Sequence, residues 1–198
     1  MTDHPMYHDG HRRLQDRFDS RRIADRLEQV TVHREFTDKD RELIESSAMF
    51  FLATADADGF PDCSYKGGMP GFVKVLDPRT LAWPDYDGNG MFRSLGNLLA
   101  NPRVGLLFVD WGQPRRLRVN GIASVNAGDP LMQQWPGAQL VVRVAAERIF
   151  PNCPRYIHRM KVEQLSTYAP RADYQPPVPD WKRDERFRDH LPKPGGRP

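Results

Sequence analysis

Residues 50–122 read FFLATADADGFPDCSYKGGMPGFVKVLDPRTLAWPDYDGNGMFRSLGNLLANPRVGLLFVDWGQPRRLRVNGI, and the order of apolar runs in this stretch decides the fold. Met49–Ala55 is a run of buried type that ends at Asp56-Ala-Asp-Gly59, a hairpin turn in which the glycine is free to take positive φ. Pro61–Lys66 reads as the return strand. Phe72–Leu76 and Thr80–Trp83 form the next hairpin across Asp77-Pro78-Arg79. Phe92–Ala100 has helical character and stops at Asn101-Pro102, and Val104–Val109 and Leu117–Val125 are two further strands joined across Trp111–Arg115. A polar, glycine-rich centre framed by strands is a rigid scaffold on which backbone amides and a few cations can face an anionic ligand. The pattern predicts a cofactor-binding barrel.

Working outward, Asp129–Gln134 reads as a helical turn, Gln139–Phe150 as a long strand, and Pro154–Gln164 as a helix with proline in its first turn. Upstream, Thr-Asp-Lys-Asp supplies an N-cap for a helix from Thr37 to about Ser47. From His11 to Gln29 the apolar residues Leu14, Phe18, Ile23 and Leu27 recur at roughly helical spacing. His4, His8 and His11 fall in a segment read as a mobile tail rather than a metal site, because no partner ligands follow at fixed spacing. From Pro170 onward Pro, Arg, Asp and Lys dominate, which predicts an extended or disordered tail. Six or seven strands with short turns and only peripheral helices make the chain mainly β, a small barrel. The expected organisation is a helical extension over 1–35, a barrel over 36–168 and a Pro-rich tail over 169–198.

Composition narrows the function. The chain has 198 residues, 39% of them hydrophobic, and a net charge of +3. The basic excess lies in HRRLQDRFDSRR and PRYIHRMK, without the dense stripe of cations and stacking aromatics that a nucleic-acid binder shows, so no nucleic-acid partner is expected. The longest apolar run, Ala48–Ala55, is far short of a membrane span, and nothing resembles a secretory leader, so a cytoplasmic protein without a membrane partner is expected. Cys63 and Cys153 are too few for a disulfide framework; each reads as an ordinary half-buried cysteine.

Asp85-Tyr-Asp-Gly-Asn-Gly90 begins like a calcium-binding loop, yet the position that needs a bidentate glutamate is Gly96. The segment makes better sense as a turn feeding a helix. Ser94 and Asn97 lie one turn apart, Arg93 sits in the first turn where helix amides favour an anion, and Lys66 adds a second cation. There is no GxSxG, HExxH, P-loop or CxxC, and Ser64 has no histidine at a recognisable spacing, so hydrolysis and zinc chemistry are excluded as leading readings. A reactive group here is expected to be a borrowed cofactor, with catalytic side chains unassigned.

The succession FFLATADADGFPDCS, GGMPGFVKVLD, TLAWPDYDGNG, SLGNLLANPRVGLLF and LRVNGIA resembles the pyridoxamine 5′-phosphate oxidase-like, FMN-binding split-barrel family, and within it the branch containing PGFV; NCPRYIH at Asn152–His158 is similar to an ending of that branch. The resemblance covers about residues 36 to 165. It implies a six-stranded split barrel that forms a homodimer, with FMN between subunits and oxidoreductase chemistry by hydride transfer at the flavin N5 on a small-molecule substrate, with an electron donor or acceptor. Carried onto this chain, it places Ser64 and Lys66 at the phosphate with Arg93, Ser94 and Asn97. Pro84, Asp85 and Asn89 fall along the flavin edge or ribityl chain. It puts Arg118 at the pyrimidine edge, where a cation stabilises negative charge on the reduced ring. Trp111, Arg155 and Tyr156 fall to the opposite subunit. The Arg-x-His element of the pyridoxamine-phosphate oxidases has no counterpart in the ending DHLPKPGGRP, which argues against pyridoxal phosphate synthesis. Related split barrels use the deazaflavin F420 or act on haem. The alternatives are thus an F420-dependent reductase, a non-catalytic flavin-binding or redox-sensing protein, and a haem-handling protein with His33 or His158 as axial ligand.

Overall fold

A computed structural model describes residues 5–192; His4 and the last residues of the ending DHLPKPGGRP lie outside them. Two helices, α1 (Asp9–Arg17) and α2 (Arg21–Thr31), precede α3 (Asp38–Ser46). Then come β1 (Met49–Ala55), β2 (Pro61–Gly67), β3 (Lys74–Val75), β4 (Thr80–Tyr86), α4 (Arg93–Ala100), β5 (Arg103–Asp110), β6 (Arg115–Asn126), β7 (Ala138–Pro151) and a short α5 (Glu185–Arg188). The strands form one antiparallel sheet in the order β2-β1-β5-β6-β7-β4-β3. Its two edges, β2 and β3, are not hydrogen-bonded to each other, so the sheet curls without closing: a mainly β split barrel of seven strands, the seventh being the two-residue β3.

Period-two alternation builds the interior. Phe50, Leu52, Leu106, Phe108, Leu117 and Val119 are buried from alternate positions of β1, β5 and β6. Phe50 is the hub, with ring centroids 5.1 Å from Trp83, 5.2 Å from Phe108 and 5.9 Å from Phe72. A second small cluster of Ala82, Trp135 and Val141 packs on the opposite face of β4 and β7. Helix α3 plugs the core with Leu43 and Ile44. Its start is fixed by Thr37, whose hydroxyl accepts from the Asp40 amide while Asp40 accepts from the Thr37 amide. At the Asp56 turn, Gly59 takes φ +88°, and Asp56 Oδ1 accepts from the amides of Asp58 and Phe60.

The strands fall where the apolar runs put them, except that the one expected over Phe72–Leu76 shrinks to the two-residue β3; several helical expectations do not hold. The single helix expected over His11–Gln29 is two helices, broken where Asp19 takes a left-handed φ of +48°. The mobile tail ends earlier than expected, because His8 caps α1 by accepting from the Gly10 amide while His11 accepts from the His8 amide. No helix forms over Pro154–Gln164, a correction with a clear cause. Tyr156, Met160 and Val162 are all exposed, so a helix there would have no apolar stripe to bury and nothing to offset its nucleation cost. The Met160 amide instead donates to the Trp111 carbonyl at 3.1 Å. In the C-terminal tail, expected to be extended, a 3-10 turn at Asp180–Arg183 and α5 form, and Lys182 pairs with Asp87. Among the described residues no helix is long and apolar enough to cross a membrane.

Candidate functional site

Four strands separate β2 from β4 in the sheet, yet residues from both line one cleft of about 310 Å³, so the cleft lies where the curled sheet fails to close. Alternation along β2 turns Asp62, Ser64 and Lys66 to the half-buried side and leaves Cys63 and Tyr65 exposed. From β4 come Asp85 and Tyr86, at a register shift that bends the strand end. Gly88, Asn89 and Gly90 form the rim, Gly90 with φ +78°, and Arg93 and Ser94 enter from the first turn of α4. Asn89 shapes that rim by accepting from the Met91 amide at 3.0 Å.

The start of α4 is open. Its N-cap residue, Phe92, sits in the left-handed region at φ +48° and provides no side-chain cap, so the first-turn amides facing the cleft have no side-chain acceptor at the cap. Arg93 makes one loose ion pair, Nε to Asp62 Oδ1 at 3.8 Å, beyond hydrogen-bond reach. Burial holds the Lys66 ammonium below its ordinary pKa, with Asp85 and then Asp62 partly restoring it. Burial raises the Asp85 carboxyl, opposed by Lys66. Burial alone pushes Tyr86 up to about 12, so it stays a neutral phenol able to donate or accept. Two incompletely paired cations, an uncapped helix start and two small hydroxyls are the chemistry that receives a phosphate.

Ser64, Lys66, Asp85, Asn89, Arg93 and Ser94, all expected from sequence, therefore converge on one cleft. Pro84 is buried immediately behind Asp85 on β4. Asn97 points elsewhere: its amide donates to Thr54 Oγ1 at 3.0 Å and ties α4 to β1. Arg118 is exposed on β6, with its guanidinium 6.0 Å from the Phe150 ring centroid, and does not line the cleft. Trp111, Arg155 and Tyr156 gather at that same end of the β6–β7 pair. There Arg116 donates to the Cys153 carbonyl at 2.8 Å, and Arg155 Nε contacts Cys153 Sγ at 3.2 Å and lies over the Tyr156 ring. The Arg155 amide and guanidinium hold the Cys153 thiol below its usual range. Both cysteines are exposed rather than half-buried. His33 is committed to structure, Nε2 to Asp40 at 2.8 Å and Nδ1 to the Thr31 carbonyl at 3.1 Å. Sequence reasoning missed Asp62 and Tyr86. For Asp62 the signal was the period-two spacing Asp62-Ser64-Lys66, which puts a carboxylate on the same face as the cation.

The site is thus an open β-barrel with a polar cleft at its split. The sequence profile described as pyridoxamine 5′-phosphate oxidase matches residues 36–167, and the chain belongs to that family. No curated protein matches it. Among solved structures it is similar to HupZ from Group A Streptococcus, at 22% identity over 59% of this chain and 93% of that one, with a TM-score of 0.48. It is also similar to HutZ, the haem storage protein of Vibrio cholerae, at 18% identity over 59% and 94%, TM-score 0.43. A third is an F420 reductase, at 20% identity over 55% and 94%, TM-score 0.42. The family assignment rests on the profile match.

Proposed function

We propose that this protein is an FMN-binding oxidoreductase that works as a homodimer, its flavin phosphate held by Ser64, Lys66, Arg93, Ser94 and the open start of α4. The observation that carries this reading is the convergence of β2, β4 and α4 on one cleft whose cations lack close partners. Bound FMN supplies hydride acceptance and donation at its N5 to a small-molecule substrate and an electron donor or acceptor. The chain's own residues bind and orient it. Lys66 and Arg93 neutralise the phosphate, Tyr86 offers a neutral donor or acceptor, and the Gly88–Gly90 rim lets backbone approach the ligand closely. Residues 36–168 are the flavin-binding unit, and 1–35 and 169–198 are extensions of it. Arg118, Trp111, Arg155 and Tyr156, which lie away from the cleft of their own chain, complete the site of the second copy.

The test is the absorption spectrum of the purified protein with mass spectrometry of the released cofactor, followed by titration of Lys66→Ala and Arg93→Ala. The expected result is the flavin spectrum, the mass of FMN and a loss of about tenfold in affinity for each variant. A colourless protein that binds F420 or haemin but not FMN overturns the reading. So does unchanged FMN affinity in both folded variants. Bound FMN that no donor and acceptor pair turns over assigns the non-catalytic role instead.

A further inference from the structure

The charged side chains that line the cleft are two cations, Lys66 and Arg93, and two carboxylates, Asp62 and Asp85. A site built only to attract anions would leave the carboxylates out. Asp85 and Lys66 each influence the other's ionisation, and Asp62 acts on Lys66 more weakly. Asp62 is different: alternation along β2 brings it to the same side as Ser64 and Lys66, and its side chain, 23% exposed, lies 3.8 Å from the Arg93 guanidinium. That separation is too long for a hydrogen bond, so Asp62 supplies charge compensation without saturating the Arg93 donors. A phosphate dianion brings more charge and better geometry than one carboxylate at this distance, whereas a monoanion does not.

We propose that Asp62 tempers the affinity of the cleft: it occupies the place of the ligand's charge beside Arg93 and must be outcompeted by a phosphate-bearing ligand. The inference rests on the phosphate reading given above and deepens it. Asp62 lowers the affinity for a phosphate ester and narrows its margin over a phosphate-free analogue, and it keeps the charges of the cleft balanced. Removing its charge tightens binding of a phosphate ester and leaves the phosphate-free analogue untouched.

The experiment titrates the full chain, as wild type, Asp62→Asn, Arg93→Ala and the double variant, with FMN and with riboflavin, which lacks the phosphate. Asp62→Ser repeats the measurement with a smaller side chain, and thermal melting reports that each variant is folded. The expected result is that D62N and D62S bind FMN about three- to tenfold more tightly than wild type, the size expected for releasing a partly exposed ion pair and a nearby like charge. Riboflavin affinity stays the same, and the gain is smaller in the Arg93→Ala background. Unchanged or weaker FMN binding by the folded Asp62 variants overturns the role of Asp62 while wild type still prefers FMN to riboflavin. Equal tightening of both flavins also overturns it. A wild type that binds both flavins equally brings down the phosphate reading itself, and Asp62 with it.

Discussion

At the scale of single residues, the cleft is governed by what burial does to Lys66 and Asp85. Burial lowers the Lys66 pKa below the usual 10.5, and the nearby Asp85 and Asp62 only partly restore it. With FMN bound as proposed, its phosphate needs the protonated amine, so FMN affinity is expected to fall as pH rises through this depressed range, earlier than an ordinary lysine allows. Lys66→Arg removes the titration and flattens the profile, which fluorescence titration across alkaline pH measures. Asp85 has the opposite sign. Its folded carboxyl holds a proton more readily than the unfolded one, because desolvation outweighs the attraction of Lys66. Stability from this group is complete below the ordinary carboxyl value of 3.8 and is lost as pH rises through the raised folded value. Asp85→Asn therefore raises the melting temperature at neutral pH and loses that advantage at acid pH, and melting curves at the two conditions check it. The cations were legible in the sequence because Arg93 and Lys66 flank glycine-rich bends. Which carboxylate faces which cation was not, since β2 and β4 meet only after four intervening strands curl.

Among the elements, the long β6–β7 pair is the spine that lets the sheet curl. Its register shifts between Asn120 and Gly121, the signature of a bulge that bends a barrel wall. A β-carbon at Gly121 would lie 2.2 Å from the Ala145 carbonyl oxygen, a backbone atom that can move only by breaking the ladder. Gly121→Ala is expected to cost about 3 kcal/mol or prevent folding, read by denaturant melts of the purified variant. The strands were legible because they are apolar runs separated by turn residues such as Asp56–Gly59 and Asp77-Pro78-Arg79. Helix ends were legible where a cap is written locally, as with Thr37 and Asp40. The failures have separate causes. At Phe18-Asp19-Ser20 the helix breaks because Asp19 takes a left-handed φ, which the apolar spacing on either side does not signal. Over Pro154–Gln164 the first-turn proline was the only helix signal, and the backbone there follows the bond from the Met160 amide to the Trp111 carbonyl instead.

For the whole molecule, the placement of the expected site residues in two separate groups makes a homodimer a quantitative matter. Cleft residues such as Arg93 and the group at Arg155 and Tyr156 cannot serve one ligand within a single chain if they remain at different ends of the sheet. They can serve one ligand if a second copy brings its Arg155 and Tyr156 to the first copy's cleft, a self-complementary exchange that twofold symmetry makes twice. Tyr65, Tyr156, Met160 and Val162 are exposed and β2 is an open edge, apolar surface and backbone that such an exchange would cover. Complementation tests this directly. Arg93→Ala damages every cleft and leaves the donated group intact, whereas a double variant at Arg155 and Tyr156 damages the donated group and leaves the cleft intact. Each binds FMN poorly alone. Unfolded, mixed in equal amounts and refolded, half of the dimers combine the two, and each mixed dimer holds one site with both defects and one with neither, so about one site in four regains wild-type affinity. Biphasic FMN titration of the mixture, with a tight phase of that amplitude absent from either parent, is the expected outcome. A mixture that titrates as the plain average of its parents means the two groups serve the ligand within one chain or not at all.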